Sequence, residues 1–449
     1  MARAAKKETL LTPEEKLAQA LVPEAEQPYQ IPENWCWTYL TKGCAECKDS
    51  FRKPINATER AGREGDIPYY GATGQVGWIN DYLTDEELVL VGEDGAPFLD
   101  LLKDKAYLIS GKAWVNNHAH ILKSFFGHVG NLYLLNYLNV FNFTGYVNGT
   151  TRLKLTQSSM DTIPVPLPPL PEQQRIVDRI ESLFAKLDEA KEKAQAVVDG
   201  FEDRKAAILH RAFTGDLTTE WRKQHNYELE DWQPTTVGKC SWLITKGASP
   251  RWQGISYTDD KSQTLFVTSE NVREGYLDWS KEKYLDNAIN NIQKRSVLQK
   301  GDVLVNIVGA SIGRSAIFDR ECLANTNQAV CLVRVKPLLL NNYLCLYFNS
   351  PFALMYYDDN KVETARANIS LSNISDMPIN LPSYEEQKEI VTRLNKMIER
   401  EVSVNANVEK VIDQIDEMKK SILARAFRGE LGTNDPADES AEELLKRIL

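Results

Sequence analysis

The hydrophobic positions of this chain fall into two long runs of helical spacing, set between irregular, strand-rich stretches. In the first run Ile176, Ile180, Leu183, Leu187, Ala190, Ala194, Val197 and Phe201 alternate steps of four and three. The second keeps that register through Ile390, Leu394, Met397, Val404, Val408, Val411, Ile415, Met418 and Ile422, with Glu401 filling one seam position. A strict 3.5-residue period over such a length is the narrow seam of a coiled coil, not the broad face of a globular helix. Each run is therefore expected to form one long helix. The two should pack through Ile176, Ile180, Leu183, Leu187 and Val197 on one side and Ile390, Leu394, Met397, Val408, Ile415 and Ile422 on the other. Roughly 42 residues at 1.5 Å each make rods of about 60 Å. Pro171 suits a first helical turn, Ser383 with Glu386 reads as a capping box, and Gly215 and Gly429 stand where the helices should stop.

The two runs are copies, 214 residues apart. Glu172-Gln173 with Ile176-Val177 and Arg179 returns as Glu386-Gln387 with Ile390-Val391 and Arg393. Residues 208–217 return as 422–431 with seven of ten positions identical and no gap. Solenoid units run to roughly 20–50 residues, so this is a duplicated module with approximate two-fold symmetry. The stretch before each helix shares a frame. Pro32-Glu33-Asn34-Trp35 parallels Glu230-Asp231-Trp232, each leads to Thr-Lys-Gly (Thr41 to Gly43, Thr245 to Gly247), and Arg152 and Arg366 precede Ile163-Pro164 and Met377-Pro378. Between those ends the two stretches barely resemble each other. The proline-rich run 164–171 is expected to be an extended, stiff connector.

These patterns divide the chain into an N-terminal extension (1–31), a first globular domain (32–165), a first spacer helix (166–217), a linker (218–231), a second domain (232–379), a second spacer helix (380–432) and a tail (433–449). The expected fold is α+β: two mixed α/β domains separated by two long antiparallel coiled-coil helices, pseudo-two-fold symmetric. Thr12-Pro13-Glu14-Glu15 should cap a short helix through Leu17 and Leu21, and Ser440 to Leu449 should form another. Either could dock a partner or cover the end of a rod.

Charge refines the picture. The net charge of −10 argues against a nucleic-acid partner until it is counted by segment. Residues 34–160 sum to −1 and residues 232–376 to +2, so the helices and flanks hold the remaining −11. An anion would therefore be bound by the two domains, with the acidic helices facing something else. Composition is globular, no apolar run reaches the ~18 residues of a membrane span, and the first residues do not form a secretory signal. Seven cysteines, an odd number in a long chain, fit reduced thiols in a cytoplasm.

Catalytic motifs are missing. There is no phosphate-binding Gly-x-x-x-x-Gly-Lys-Ser/Thr loop, no His-Glu-x-x-His, and no Asn/Asp-Pro-Pro-Tyr of a base methyltransferase. Cys44-x-x-Cys47 has no second pair at zinc-ribbon spacing, and His118-x-His120 has no evident carboxylate partner, so no metal is expected. Groups that read base edges and hold phosphates do recur in both domains. In the first they are Tyr69, Tyr70, Thr73, Gln75, Asn116, Asn117, His118, Thr151, Arg152 and Lys154. In the second they are Lys246, Ser249, Arg251, Ser311, Arg314, Asn325, Asn327, Gln328, Arg366 and Asn368.

With these residues in place, the chain resembles the specificity (S) subunits of type I restriction–modification enzymes over nearly all its length. The likeness is carried by Pro166 to Gln173 and the weaker Leu381 to Gln387, the two helices, the Arg-Ala-Phe-x-Gly-x-Leu segments at 211–217 and 425–431, and the Ile-Pro-Tyr-Tyr-Gly-Ala and Trp-Val-Asn-Asn-His-Ala stretches. The resemblance implies a non-catalytic subunit whose two domains each read one half of a split, asymmetric DNA target, with the helices setting the spacing. It implies two modification (M) subunits that methylate adenine from S-adenosylmethionine, and up to two restriction (R) subunits using ATP and Mg, with no cofactor on this chain and no membrane. Two other readings compete from the residues alone. One is a self-contained nuclease using Asp94, Asp100 and Lys103 with Mg; the other is a coiled-coil scaffold without DNA contact.

Overall fold

The computed structural model describes residues 12–100, 103–362 and 367–449. It has two compact units. One comprises Met1–Gln195 with Lys410–Leu449, the other Ala196–Glu409. Each unit thus combines one globular domain with a segment of both helical runs, and the unit boundaries fall inside the helices.

The first run folds as Leu170–Asp199 (α1) followed by Phe201–Phe213 (α2), and the second as the single 43-residue helix Tyr384–Ala426 (α3). The expectation of one unbroken helix per repeat therefore fails for the first. Gly200 interrupts it where the second repeat has Gln414, and a glycine in a helix interior costs about 1 kcal/mol relative to alanine. The break is mild, because Gly200 N–H still donates to Ala196 C=O and Arg204 N–H to Gly200 C=O. Gly215 and Gly429 end α2 and α3 with φ of 89° and 73°, the left-handed turn that glycine enters without a Cβ clash.

The seam is real at its ends and thin between them. Ile176, Ile180, Ile390, Leu394 and Ile415 are buried, and Leu183, Leu187, Met397, Val408 and Ile422 are half-buried. Val197 is exposed, a correction to its place in the seam, as are Val404, Val411 and Met418. Polar groups occupy the thin stretches. In the first unit Lys191 bonds Asp416 at 2.7 Å and Lys419 bonds Asp188 at 2.5 Å; in the second Arg204 bonds Glu401, the seam's acidic position, at 2.8 Å. The two pairings of the first unit run antiparallel. Half-exposed pairs of this kind contribute about 0–1 kcal/mol each, so the helices are held chiefly where they sit on a domain.

Each domain begins and ends in one two-stranded ladder. Cys36–Tyr39 pairs antiparallel with Pro164–Leu167, and Gln233–Thr236 with Pro378–Leu381. The start of the proline-rich run is extended as expected, and it forms a buried strand of the domain. Proline lacks a ladder donor, but the carbonyls of Pro164 and Pro166 accept the hydroxyls of Tyr137 and Tyr133. Those tyrosines lie on the helix Gly127–Val140. In the second unit Tyr347 and Tyr343, on Asn341–Phe348, donate to the carbonyls of Pro378 and Asn380. Phe427 stands edge-on to Tyr133 and Tyr137 at 5.2 and 5.1 Å; Phe213 does the same to Tyr343 and Tyr347 at 5.3 and 5.1 Å. The end of each repeat therefore packs into the domain that precedes the other repeat.

Glu172 and Glu386 close this arrangement. Both are buried. Glu172 accepts from the Trp35 indole at 2.7 Å and from Thr433 and Asn434, which follow α3. Glu386 accepts from the Trp232 indole at 2.8 Å and from Thr218 and Arg222, which follow α2. The expected capping box is half made: Ser383 Oγ accepts the Glu386 N–H, while the Glu386 carboxylate is taken by these inward partners.

The domain interiors share one sheet topology despite their divergent sequences. In the first, the antiparallel sheet has the spatial order Ala45–Cys47, Ala119–Ser124, Leu88–Gly92, Ala106–Ile109. In the second it is Ser241–Lys246, Val330–Val335, Val303–Asn306, Ser315–Ile317. Chain order across both is first, fourth, second, third. Each domain adds a mixed sheet containing one parallel pair: Ile67–Gly71 with Lys112–Val115, and Thr264–Val267 with Ala324–Thr326. Both expected short helices form. Thr12 caps Pro13–Ala20 with a full capping box, Ser440 caps Ala441–Ile448, and Leu17, Ala441 and Leu445 enter the first unit's core.

Candidate nucleic-acid interface

A cleft opens at the same place on the antiparallel sheet in each domain. In the first unit it lies where Leu88–Gly92 runs into Asp94-Gly95 and where Asn116, Asn117 and His118 lead into Ala119–Ser124, with Arg152 beside them. In the second unit it lies where Val303–Asn306 runs into Val308 to Ile312 and where Ala329 leads into Val330–Val335, with Ala367 beside them. Volumes are about 780 and 730 Å³. The remaining walls differ. Asn56, Arg60 and the Tyr69–Val76 hairpin flank the first cleft, whereas Leu354, Tyr357, Asp358 and Lys361 flank the second.

The expected reading groups are partly assembled. Thr73, Asn117, His118 and Arg152 line the first cleft together and reach solvent. Tyr69 is 2% exposed, a correction: its ring packs in the mixed-sheet core and carries the Arg60 guanidinium 5.0 Å above it. Asn116 is also turned inward, since its Oδ1 accepts the His118 N–H at 2.8 Å and shapes the loop, the local bonding that asparagine favours in turns. Tyr70 packs against Tyr107, Lys154 pairs with Glu93, and Gln75 and Thr151 are exposed outside the cleft wall.

In the second unit Ser311, Gln328 and Asn368 adjoin the lining residues Ala310, Ala329 and Ala367. Asn325 is fully buried, a further correction: its amide bonds Ser296, Asn290 and the Thr326 N–H. Lys246, Arg251 and Arg314 are exposed, Ser249 is half-buried, and Asn327 holds the loop by accepting from Ala329 N–H. Arg366 lies outside the described residues. Arg60 and Lys361 carry no signal in the sequence, because only long-range topology brings them to the clefts.

The two carboxylates of the nuclease reading each meet a cation of the chain. Asp94 is bonded to Arg152 at 2.7 Å and lies 2.7 Å from His118 Nδ1, while Asp100 pairs with Lys103 at 3.7 Å. Among the described residues the groups with metal-ligand reach are instead Asp49, Glu93 and His120. They form an ion network. Asp49 meets His120 Nδ1 at 2.6 Å and Arg52 at 2.8 Å, Glu93 meets Arg52 and Lys154, and His120 Nε2 faces the Leu155 carbonyl at 2.9 Å. This network fastens the backbone that carries Asp94. Burial would raise the Asp49 pKa, but hydrogen bonds from His120 and Ile121 and the Arg52 charge hold it below the ordinary value. The ion form is thus favoured by folding, and its stabilisation is present above the unfolded pKa of about 3.9 and lost as pH falls through the folded value. Asp49→Asn should accordingly destabilise the first unit at pH 7, with the difference shrinking toward zero below about pH 4; acid unfolding of both proteins, followed by circular dichroism, checks this. A difference that stays constant with pH would remove the linkage.

The model of the type I restriction modification DNA specificity domain matches residues 49–198 and again 257–414, together more than half of the chain. The chain belongs to that family. The specificity subunit of the type I restriction enzyme EcoBI from Escherichia coli is 29% identical over 349 residues, covering 73% of this chain and 71% of that one. A putative type I specificity subunit from Haemophilus influenzae is 27% identical, covering 82% and 89%. Among solved structures, the HsdS subunit of Thermoanaerobacter tengcongensis superposes with a TM-score of 0.58 at 17% identity over 91% of this chain and all of that one. A chain from a study of complex assembly and conformational transition in the type I R-M system gives 0.62, also at 17%, over 90% of this chain and all of that one. These likenesses agree on the fold. As a specificity subunit the chain is a non-catalytic DNA-reading component with two recognition domains. None of its described helices is long and apolar enough to cross a membrane.

Proposed function

We propose that residues 32–165 and 232–379 are the reading domains, and that each cleft reads one half of a split, asymmetric DNA target. α1 to α3 set the unread spacing between halves and bind two modification subunits. Those subunits methylate adenine from S-adenosylmethionine, and up to two restriction subunits join with ATP and Mg to cut unmodified DNA in the cytoplasm. One observation carries the reading: an equivalent cleft on the same sheet topology in both domains, with walls built from different residues. A shared scaffold with divergent walls is what two readers of different sequences require, because base edges are told apart by the donors and acceptors placed against them. The acidic helices favour a protein partner, and phosphate contacts supplied by that partner account for a reader that is itself acidic.

The test is selection of bound duplexes from a random DNA library by the chain assembled with modification subunits. Enrichment of a bipartite motif, two short specified blocks around a fixed unspecified gap, is the expected result. A single contiguous motif, or none, would sink the proposal.

A further inference from the structure

Arg152 is unusually well seated for an exposed side chain. The loop beside it turns at Gly95 with φ of +74°, and a Cβ there would stand 3.0 Å from Arg152 Nε and 3.5 Å from its Cζ. The guanidinium therefore lies in the space that any other residue's side chain would fill. Gly95 N–H donates to Leu153 C=O at 3.0 Å, Leu155 N–H donates to Glu93 C=O at 2.7 Å, and Asp94 bridges Lys154, so the two backbones that carry the pair are tied together. Asp94 Oδ1 accepts from Arg152 Nη2 at 2.7 Å. The Arg152 side chain is nonetheless 61% exposed, and it lines the first cleft.

We propose that Arg152, laid on Gly95 and braced by Asp94, reads a guanine in the half-site taken by the first cleft. The inference rests on the DNA-reading role above and deepens it. Two physical arguments choose a base over a phosphate. First, a carboxylate at 2.7 Å nearly cancels the guanidinium charge as seen from a distance. A phosphate is attracted by net charge, whereas the guanine O6 and N7 edge is neutral and needs two correctly placed N–H donors. The pair keeps donors while giving up charge, since arginine has five N–H groups and Asp94 takes one from Nη2. Second, the fork is ordered before DNA arrives. That spares the rotamer entropy of fixing a long side chain on binding, and it fixes the direction in which the donors point. Arg152 is the contacting residue; Asp94 is a positioning residue.

The experiment uses the chain assembled with modification subunits, the same random-duplex selection, and salt-dependent binding to the selected site. The variants are Arg152→Gln, Arg152→Lys and Asp94→Asn. In Arg152→Gln, preference for guanine at one position of one half-site should fall by about 10- to 100-fold toward parity, with the other half unchanged. Arg152→Lys should not restore the preference, because lysine is a point charge without the fork. Asp94→Asn should weaken the preference and steepen the salt slope by about one, as the freed charge becomes available to a phosphate. Melting temperatures of all three should stay close to the parent, which separates reading from folding. A uniform loss of affinity across all sequences, with the guanine preference kept, would make Arg152 a phosphate contact and overturn the proposal. So would an unchanged motif. If the parent assembly itself selects no bipartite motif, the DNA-reading role fails and this assignment with it; a normal parent motif with an indifferent variant removes the guanine assignment alone.

Discussion

Glu386→Gln is expected to destabilise the second unit by about 3–5 kcal/mol, the usual range for breaking a buried ion pair from one side. The carboxylate is 1% exposed and its partner Arg222 is 5% exposed, with 2.7 Å between Oε1 and Nη1. After the substitution the guanidinium keeps the Gly215 carbonyl and the Thr218 and Thr219 hydroxyls, but its charge stays buried with no counter-ion. For a unit of this size each kcal/mol lowers the melting temperature by about 2–4 °C, so a drop of about 6–20 °C is expected in calorimetry. The double variant Glu386→Gln, Arg222→Met should recover part of the loss, because it removes the orphaned charge as well. The equivalent Glu172→Gln should cost less. Glu172 is met by the Trp35 indole, the Thr433 hydroxyl and the Asn434 amide, all neutral donors, so its loss strands no cation. Equal effects at the two sites would show that the Arg222 charge is not what makes the second one costly.

Phe427→Ala should destabilise the first unit by a similar amount, about 3–5 kcal/mol for deleting a buried aromatic ring. Phe427 is 2% exposed and meets Tyr133 and Tyr137 edge-on. Those tyrosines in turn bond the strand Pro164–Leu167, whose prolines leave its ladder short of donors. The cavity therefore opens beside the ladder that closes the domain. Hydrogen exchange should report early opening in Cys36–Tyr39, while the second unit's Gln233–Thr236 stays protected. Phe427→Leu should lose less, since it forfeits the edge-to-face contacts but little volume. Protection in Cys36–Tyr39 that survives Phe427→Ala would place the closure of the domain elsewhere.

The helical part of this fold was legible because periodicity is a local signal, and so were both helix ends, where glycine supplies a turn that other residues resist. The break at Gly200 leaves no mark on the pattern, because the heptad runs through it without interruption. Two features hid for identifiable reasons. Tyr133 and Tyr137 correspond to Tyr343 and Tyr347 at a separation of 210 residues, not 214, because the second domain has four more residues between its tyrosines and its closing strand. An ungapped comparison passes over them. Glu172 and Glu386 lie in the first turn of their helices, where an acidic residue ordinarily favours the helix dipole from the surface; burial comes from tryptophans well over a hundred residues away. The clefts show the same divide. Arg152, Thr73 and Asn117 belong to types that reach outward, and they do. Asn116 and Asn325 have the same chemistry, but asparagine also bonds its own loop, and the competition is decided by the backbone around it.

The packing of each repeat's end against the other repeat's beginning has a consequence in time. The second unit, Ala196–Glu409, is one continuous stretch and holds all its parts as soon as it has been synthesised. The first unit is not. Trp35, Tyr133 and Glu172 are made early, but Thr433 and Asn434 come 261 and 262 residues after Glu172, with Phe427 just before them. At roughly 5–20 residues per second that is a wait on the order of 13–50 s. During it a tryptophan, two tyrosines and a carboxylate lack the groups that will cover them. The part of the chain made first is therefore the part finished last, and it is the part for which a chaperone has the longest opportunity.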